Sequence, residues 1–415
     1  MKCDINCAAH KSENHMIYAQ YDMIKSLQGT MAEQALFWGQ AWKNNPFMSP
    51  MGAGFELTQR IFKDYAKPEW KLEEYGIFQE TLLMSDFCNL VRFSKNKKKS
   101  SSHTLFIVAP LSGHYATLLR DTVKQCTEDF DVVVTDWKNA RDVPLDKGPF
   151  HLEDYVFLVE KFTKFLMKKN KATHIFAVCQ PVVPVLAAIS RMSKRQEKIP
   201  QSIILMGGPV DARQSPTKPN NLATQQSYKW FRDNLIDKVP QGFSGKGRQV
   251  YPGFLQHFGF MALNPERHAQ SYWNFYENLL SGDEDGAKKH REFYDEYNAV
   301  LDLPAEYYLD TIKIVFQDFS LAKGTWVIDG EPVNLQDIKN AKLLVIEGAR
   351  DDIAGQGQTK AAIKLCTGIA PSEKKYFLDP KAGHYALFSG SRWREHVYKV
   401  MKKFCISSLD ETGLK

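Results

Sequence analysis

The stretch THIFAVCQPVVPVLAAI, residues 173–189, decides the reading of the chain. Its first half, Thr173 to Val178, is an apolar run of strand length, rich in β-branched and aromatic residues. Its second half carries apolar residues at helical spacing, and Pro181 suits a first helical turn, where a missing N–H costs nothing. The two halves meet at one residue, Cys179. A thiol at a sharp strand-to-helix joint faces the positive end of a helix, which favours thiolate over thiol.

Outward from this joint, short apolar runs alternate with amphipathic segments. TLFIVAP (104–110), YATLLRDTVKQC (115–126), DVVVTDW (131–137) and LEDYVFLVEKFTKFLMKK (152–169) precede it. PVLAAISRMSK (184–194) and QSIILMGGP (201–209) follow. Strand and helix in alternation predict a parallel sheet covered on both faces. From residue 210 to about 335 the rhythm gives way to aromatic-rich helices and loops, and then AKLLVIEGARDD (341–352), TKAAIKLC (359–366) and KKYFLDPKAGHYALF (374–388) restore it. The expected layout is therefore an α/β core in two parts, 96–209 and 336–415, with a cap inserted at 210–335. An N-terminal helical segment at 16–95 and a disordered extension at 1–15 come before it. Within the helical segment, IYAQYDMIKSLQGTMAEQALFWGQAW (17–42) has helix-spaced apolar residues and stops at NNPFMSP, reading as a docking or core helix.

Composition narrows the function classes. With 415 residues, 43% hydrophobic and 25% charged, the chain has the make-up of a globular protein with a large core. The net charge of +6 owes much to one run, KNKKKSSSH at 95–103, which reads as a solvated loop. It has no interleaved aromatics, so nucleic-acid binding is not expected. The seven cysteines are scattered and do not read as a disulfide framework. No secretory leader or long uncharged apolar run is evident, and a cytoplasmic protein without a transmembrane segment is expected. The opening CDINCAAHKSENH matches no common zinc spacing, and no metal is expected.

In α/β-hydrolases the nucleophile sits on a strand-to-helix turn, usually G-x-S-x-G, with an acid and then a histidine at the ends of later strands. Here the turn reads Ala177-Val178-Cys179-Gln180-Pro181, and Ala177 keeps one flank small. VIEGARDDIAG supplies Asp351 and Asp352, and DPKAGHYALF supplies His384, in hydrolase order. Each alone has a plainer reading: a packed cysteine, a solvated turn, a loop histidine. Together they outweigh those readings. The Gly348-x-x-Asp351 register favours Asp351 as the acid, with Asp352 the alternative. Oxyanion donors are expected from the N–H of Gln180 and from Leu111 and Ser112 in VAPLSGH (108–114), where Gly113 allows close approach. His114, Trp230, Phe254 and Trp273 are candidate substrate contacts, the last three from aromatic stretches whose other members serve a helical cap core.

Several long phrases resemble one family, the intracellular polyhydroxybutyrate depolymerases that act on storage granules. They are VAPLSGHYATLLR, TDWKNARDVPL, AVCQP, LMGGPVDAR, VYPGFLQ, FYDEYNAVLDLPAEYYLDT, EGARDDI with GQT soon after, and GHYALFSGSRW. The resemblance runs from about Met16 to the C-terminal helix. It implies an α/β-hydrolase fold, Cys179 in AVCQP as nucleophile, an acid in RDD and a histidine in GHY. It also implies amorphous poly(3-hydroxybutyrate) as substrate, the granule surface as partner, and no cofactor, with coenzyme A an optional co-substrate. Oligomeric state, including a homo-oligomer, stays open. Polyhydroxyalkanoate synthases also use a cysteine elbow, but one flanked by glycines that are lacking here. An acyltransferase and a non-catalytic granule-coating protein are the alternatives.

Overall fold

The computed structural model describes residues 17–42, 49–63, 65–95, 101–168 and 172–406. The expected extension at 1–15, Cys3, Cys7 and most of the lysine run lie outside them. Among the described residues, eight strands form one sheet: β1 (Phe78–Leu83), β2 (Cys88–Ser94), β3 (His103–Val108), β4 (Asp131–Trp137), β5 (Ala172–Val178), β6 (Ser202–Met206), β7 (Lys342–Gly348) and β8 (Lys374–Asp379). Their order is β1-β2-β4-β3-β5-β6-β7-β8. β2 runs antiparallel to both its neighbours, and every pairing from β4 to β8 is parallel. This order, with the crossing of β3 and β4 and one reversed strand, is that of the α/β-hydrolase fold.

The central strands are apolar along their whole length because helices cover both faces of a parallel sheet. β4 is buried at every position, and β5 from Thr173 onward. Helices α1 (Ile17–Trp42), α2 (Ser49–Phe62), α3 (Arg120–Cys126), α4 (Leu152–Met167) and α5 (Val182–Lys194) come before the cap. α5 follows the Cys179 joint and is buried from Val182 to Met192, so the helix behind the thiol is held rigidly in the core.

The N-terminal reading needs correction. The segment at 16–95 is not helical throughout, since β1 and β2 fall within it and join the sheet. β1 is an exposed edge carrying Gln79 and Glu80, so its apolar signal is weak, and an edge strand is kept polar to discourage pairing with other chains.

The cap contains α6 (Lys218–Gln225), α7 (Tyr228–Leu235), α8 (Gly253–Leu263), α9 (Pro265–Ser281), α10 (Glu284–Tyr297) and α11 (Ala305–Asp310), the last running on as a wider turn through Gln317. Three short antiparallel strands at 237–238, 249–251 and 303–304 tie it together. The α1–α2 hairpin packs on the cap. The Tyr18 N–H donates to Asp237 at 2.9 Å, its hydroxyl donates to Asp302, and the Tyr21 ring stacks on Phe254 with centroids 3.8 Å apart. Arg60 of α2 pairs with Asp295 of α10 at 2.9 Å. None of the described helices is long and apolar enough to cross a membrane.

Candidate active site

Parallel strands end at a common edge, and the loops leaving that edge converge. β5 stops at Val178, and Cys179 then takes φ of 68°, a left-handed conformation that a residue with a Cβ seldom adopts. Its N–H donates to the Met206 carbonyl at 2.7 Å. Its own carbonyl lies against Gly208 of the next strand's loop. A Cβ at Gly208 would fall 2.1 Å from that oxygen and 2.5 Å from Val182. The small residue that the tight turn requires is therefore supplied across the sheet by Gly208 as well as by Ala177.

Thr359 in turn holds Gly208. Its hydroxyl accepts the Gly208 N–H at 2.8 Å and donates back to the Gly208 carbonyl at 2.9 Å. The segment carrying Thr359 is fixed by the buried Glu347 of β7, whose carboxylate accepts the N–H groups of Gly357, Thr359 and Lys360 and the Tyr376 hydroxyl, at 2.8 to 2.9 Å. The GQT phrase read from the sequence is thus the clamp on the elbow.

His384 follows β8 and meets Asp351, which follows β7. Nδ1 of the ring and Oδ2 of Asp351 are 2.8 Å apart, with the side chains 5% and 1% exposed. The other oxygen of Asp351 accepts the N–H groups of Ile353 and Ala354 at 2.9 and 2.8 Å, which fixes the carboxylate. With Nδ1 committed to the aspartate, Nε2 is left for Cys179, which lines the same cavity and bears on the charge of the ring. Burial alone would lower the ring's pKa. The Asp351 charge and then the Cys179 sulfur overcome this and hold it well above the ordinary histidine range. Gly207, at φ 57°, passes close beneath. A Cβ there would stand 3.4 Å from Asp351 Oδ2 and 3.5 Å from His384 Cε1.

Asp352, the alternative acid, is placed elsewhere. It is exposed, and its carboxylate accepts from Asn264 of the cap at 2.6 Å. One residue along an extended turn reverses the side-chain direction, so only one of the two carboxylates can reach the ring.

The loop after β3 brings Leu111 and Ser112 to the same cavity as Cys179 and Gln180. Among the described residues, the N–H groups of Leu111, Ser112 and Gln180 make no hydrogen bond, so all three are available donors. The loop is held from the cap side by residues of the phrase FYDEYNAVLDLPAEYYLDT. Leu301 N–H donates to the Gly113 carbonyl at 2.7 Å, the Tyr307 hydroxyl to the Leu111 carbonyl at 2.9 Å, and His114 Nε2 to the Tyr297 carbonyl at 3.1 Å. Gly113, at φ 106°, leaves room for Gln256, whose Oε1 would be 2.7 Å from a Cβ there.

Cys179 and His384 open on a cavity of about 480 Å³ between core and cap, walled mainly by apolar and aromatic side chains. His114 lines it, and burial, then the neighbouring His257, lowers that ring's pKa to about 4, so it is neutral. Trp230, Phe254 and Trp273 do not line it. Trp230 packs edge-on against Phe231 at 5.2 Å, Phe254 is buried under Tyr21, and Trp273 is 56% exposed with its indole N–H on Glu277. Phe231, Tyr251, Phe260, Tyr307 and Tyr308 take those places. Neighbours on a helix point about 100° apart, so helical spacing marks an aromatic segment without saying which ring faces the cavity. Gly207, Gly208, Tyr307 and Thr359 were given no role from the sequence, although LMGGP, FYDEYNAVLDLPAEYYLDT and GQT, which hold them, stood out as phrases.

Cys179 also stands apart from the other described cysteines. Cys88, Cys126, Cys366 and Cys405 are fully buried, and burial pushes their thiols up, to about 12 for Cys366 and Cys405. They are packing residues, and only Cys179 reaches the cavity.

Residues 207–408 match the family model described as PHB de-polymerase C-terminus. The matched span covers the cap and the second part of the core, with Asp351 and His384; Cys179 lies before it. No curated protein matches the chain. Similar solved structures include a Bacillus megaterium epoxide hydrolase in complex with an inhibitor, at 16% identity and TM-score 0.46, covering 78% of this chain and 98% of that one. Others are a lipase-esterase related protein from Clostridium acetobutylicum (13%, TM-score 0.45, 77% and 99%) and a thermophilic esterase from Thermogutta terrifontis (11%, TM-score 0.42, 78% and 97%).

Proposed function

We propose that this chain is a poly(3-hydroxybutyrate) depolymerase that works in the cytoplasm on amorphous storage granules, with Cys179, Asp351 and His384 as its triad. The observation that carries the reading is a thiol on a left-handed strand-to-helix joint, opening on the same apolar cavity as an aspartate-held histidine. The family match over residues 207–408 supports a polyester as the substrate.

Asp351 fixes the His384 tautomer, and Nε2 takes the Cys179 proton. The sulfur forms a bond to an ester carbonyl carbon. The oxyanion that results is met by the free N–H groups of Gln180, Leu111 and Ser112. The carbonyl carbon's bond to the leaving oxygen then breaks, and that oxygen takes the proton from His384. A 3-hydroxyacyl thioester is left on Cys179. Water, deprotonated by His384, attacks the thioester, releases a free acid or short oligomer and returns the thiol. Thioester exchange with another thiol is close to even in energy, so coenzyme A can replace water and give 3-hydroxybutyryl-CoA.

Mass spectrometry of products from amorphous granules, with and without coenzyme A, tests the reading. Hydroxy acids and oligomers are expected in both cases, with acyl-CoA added in the second. No product from the unmodified chain, or polymer growth from 3-hydroxybutyryl-CoA in place of release, would overturn it. The Cys179→Ala chain should release nothing.

A further inference from the structure

Helix α1 stands apart from the catalytic cavity, yet it exposes more large apolar side chains than its packing explains. Ile17, Met23, Ile24, Leu27, Met31 and Phe37 are each between 42% and 67% exposed, while Tyr18 and Ala32 face the protein. At roughly 100° per residue, the six lie within an arc of about 160°. The helix has three charged residues, Asp22, Lys25 and Glu33, and all fall within about 80° on the other side. The outward face is therefore broad, uncharged and mostly apolar, with the exposed amides of Gln20 and Gln34 and the Thr30 hydroxyl interspersed and buried Ala35 marking its edge beside Ile17. Exposed patches of this kind mark binding surfaces in soluble proteins.

Charge and width choose among the occupants. Helices that lie on anionic lipid carry lysine and arginine along the polar flank, and α1 has a single lysine. A helical partner is gripped along a narrow seam of two positions in seven, whereas this arc is far wider. An uncharged, flat, largely apolar material that also offers hydrogen-bond acceptors, as an aliphatic polyester does with its ester carbonyls, matches both features and the amides of Gln20 and Gln34. The helix is also bound to the cavity wall. Tyr21 stacks on Phe254 of α8, and the same helix α8 presents Phe260 and Leu263 to the cavity that holds Cys179.

We infer that the outward face of α1 is the surface by which this protein docks on an amorphous aliphatic polyester, holding the cavity beside the polymer while single chains enter it. This rests on the polyester reading of the active site and adds to it a second, non-catalytic contact. Docking and cleavage then separate. A soluble oligomer needs only the cavity, whereas a particle needs both.

The experiment uses the full chain in two backgrounds. In the Cys179→Ala background, co-sedimentation with protein-free amorphous poly(3-hydroxybutyrate) particles is compared with and without Ile24→Lys and Met31→Lys. Those two changes should lower particle binding tenfold or more. In the active background the same pair should leave cleavage of soluble 3-hydroxybutyrate oligomers within about twofold and cut release from particles at least tenfold, which also shows that the variant is folded. Undiminished particle binding overturns the inference. So does a shift from dimer to monomer on sedimentation, which would make the face a contact between copies, and so does equally tight binding to neutral phosphatidylcholine vesicles. If the unmodified chain cleaves no oligomer, the active-site reading fails by itself; if it cleaves oligomers and the variant works on particles as well as the parent, only the docking face fails.

Discussion

Asp351 and Asp352 are neighbours in the chain with unrelated surroundings, and a single-atom change separates them. Asp351→Asn keeps the shape but removes the acceptor that fixes the His384 tautomer, so release of hydroxy acids should fall by about 10²- to 10⁴-fold. Asp352→Asn alters an exposed contact with Asn264 and should leave the rate within about threefold. Steady-state rates on soluble oligomers check both, and equal losses would contradict the assignment. Gly207 makes the same point without charge. Alanine there meets a left-handed backbone and a Cβ within 3.5 Å of both Asp351 and His384, so Gly207→Ala should lose activity out of proportion to its cost in stability, about 1 kcal/mol. A melting curve beside the rate measurement separates the two effects.

The turn between β5 and α5 keeps its shape only because Gly208 and Thr359 close on it from the neighbouring strands. Thr359→Val is nearly isosteric but leaves the Gly208 N–H buried with no acceptor, a cost of about 1 to 3 kcal/mol, and frees the loop that the elbow carbonyl rests on. The rate constant should suffer more than KM, because the cavity walls are untouched while the nucleophile is displaced. Thr359→Ser keeps the hydroxyl and should restore activity to near that of the parent. Failure of serine to rescue would show that the methyl group, not the hydrogen bonds, is what matters. At the elbow the sequence suggested Ala177 as the small neighbour of the thiol; the closest approach is made by Gly208, 29 positions further on, which only a folded sheet brings to Cys179.

Over the whole molecule, several buried histidines are held neutral. Burial comes first among the causes for His114, His174 and His257, whose pKa values are lowered to about 4, about 3 and about 4. The unfolded chain takes up protons below pH about 6.5 that the folded one refuses until about 4. Their contribution is therefore complete above pH about 6.5 and is lost as pH falls toward 4. At about 1.4 kcal/mol for each tenfold change in proton affinity, His114 alone withdraws about 3 kcal/mol by pH 4. Melting temperature should fall by about 5 °C or more between pH 7 and pH 5. A flat profile would mean that these rings ionise within the fold.

Read alone, the sequence determined the alternation of strand and helix, the interruption by a cap, the joint that carries Cys179, and the order of thiol, acid and histidine. Those features follow from local periodicity and from turn chemistry, which act over a few residues. It hid β1, because an edge strand with polar residues lacks the apolar signature of a central one. The turn register favoured Asp351, but the contact with His384, the choice of aromatic rings that wall the cavity, and the hold of Thr359 on a glycine 151 positions away all came from long-range packing. These choices depend on the direction a side chain takes when two elements distant in the chain pack together. Packing brings such residues within an ångström or so of contact, and no pattern along a single segment carries that information.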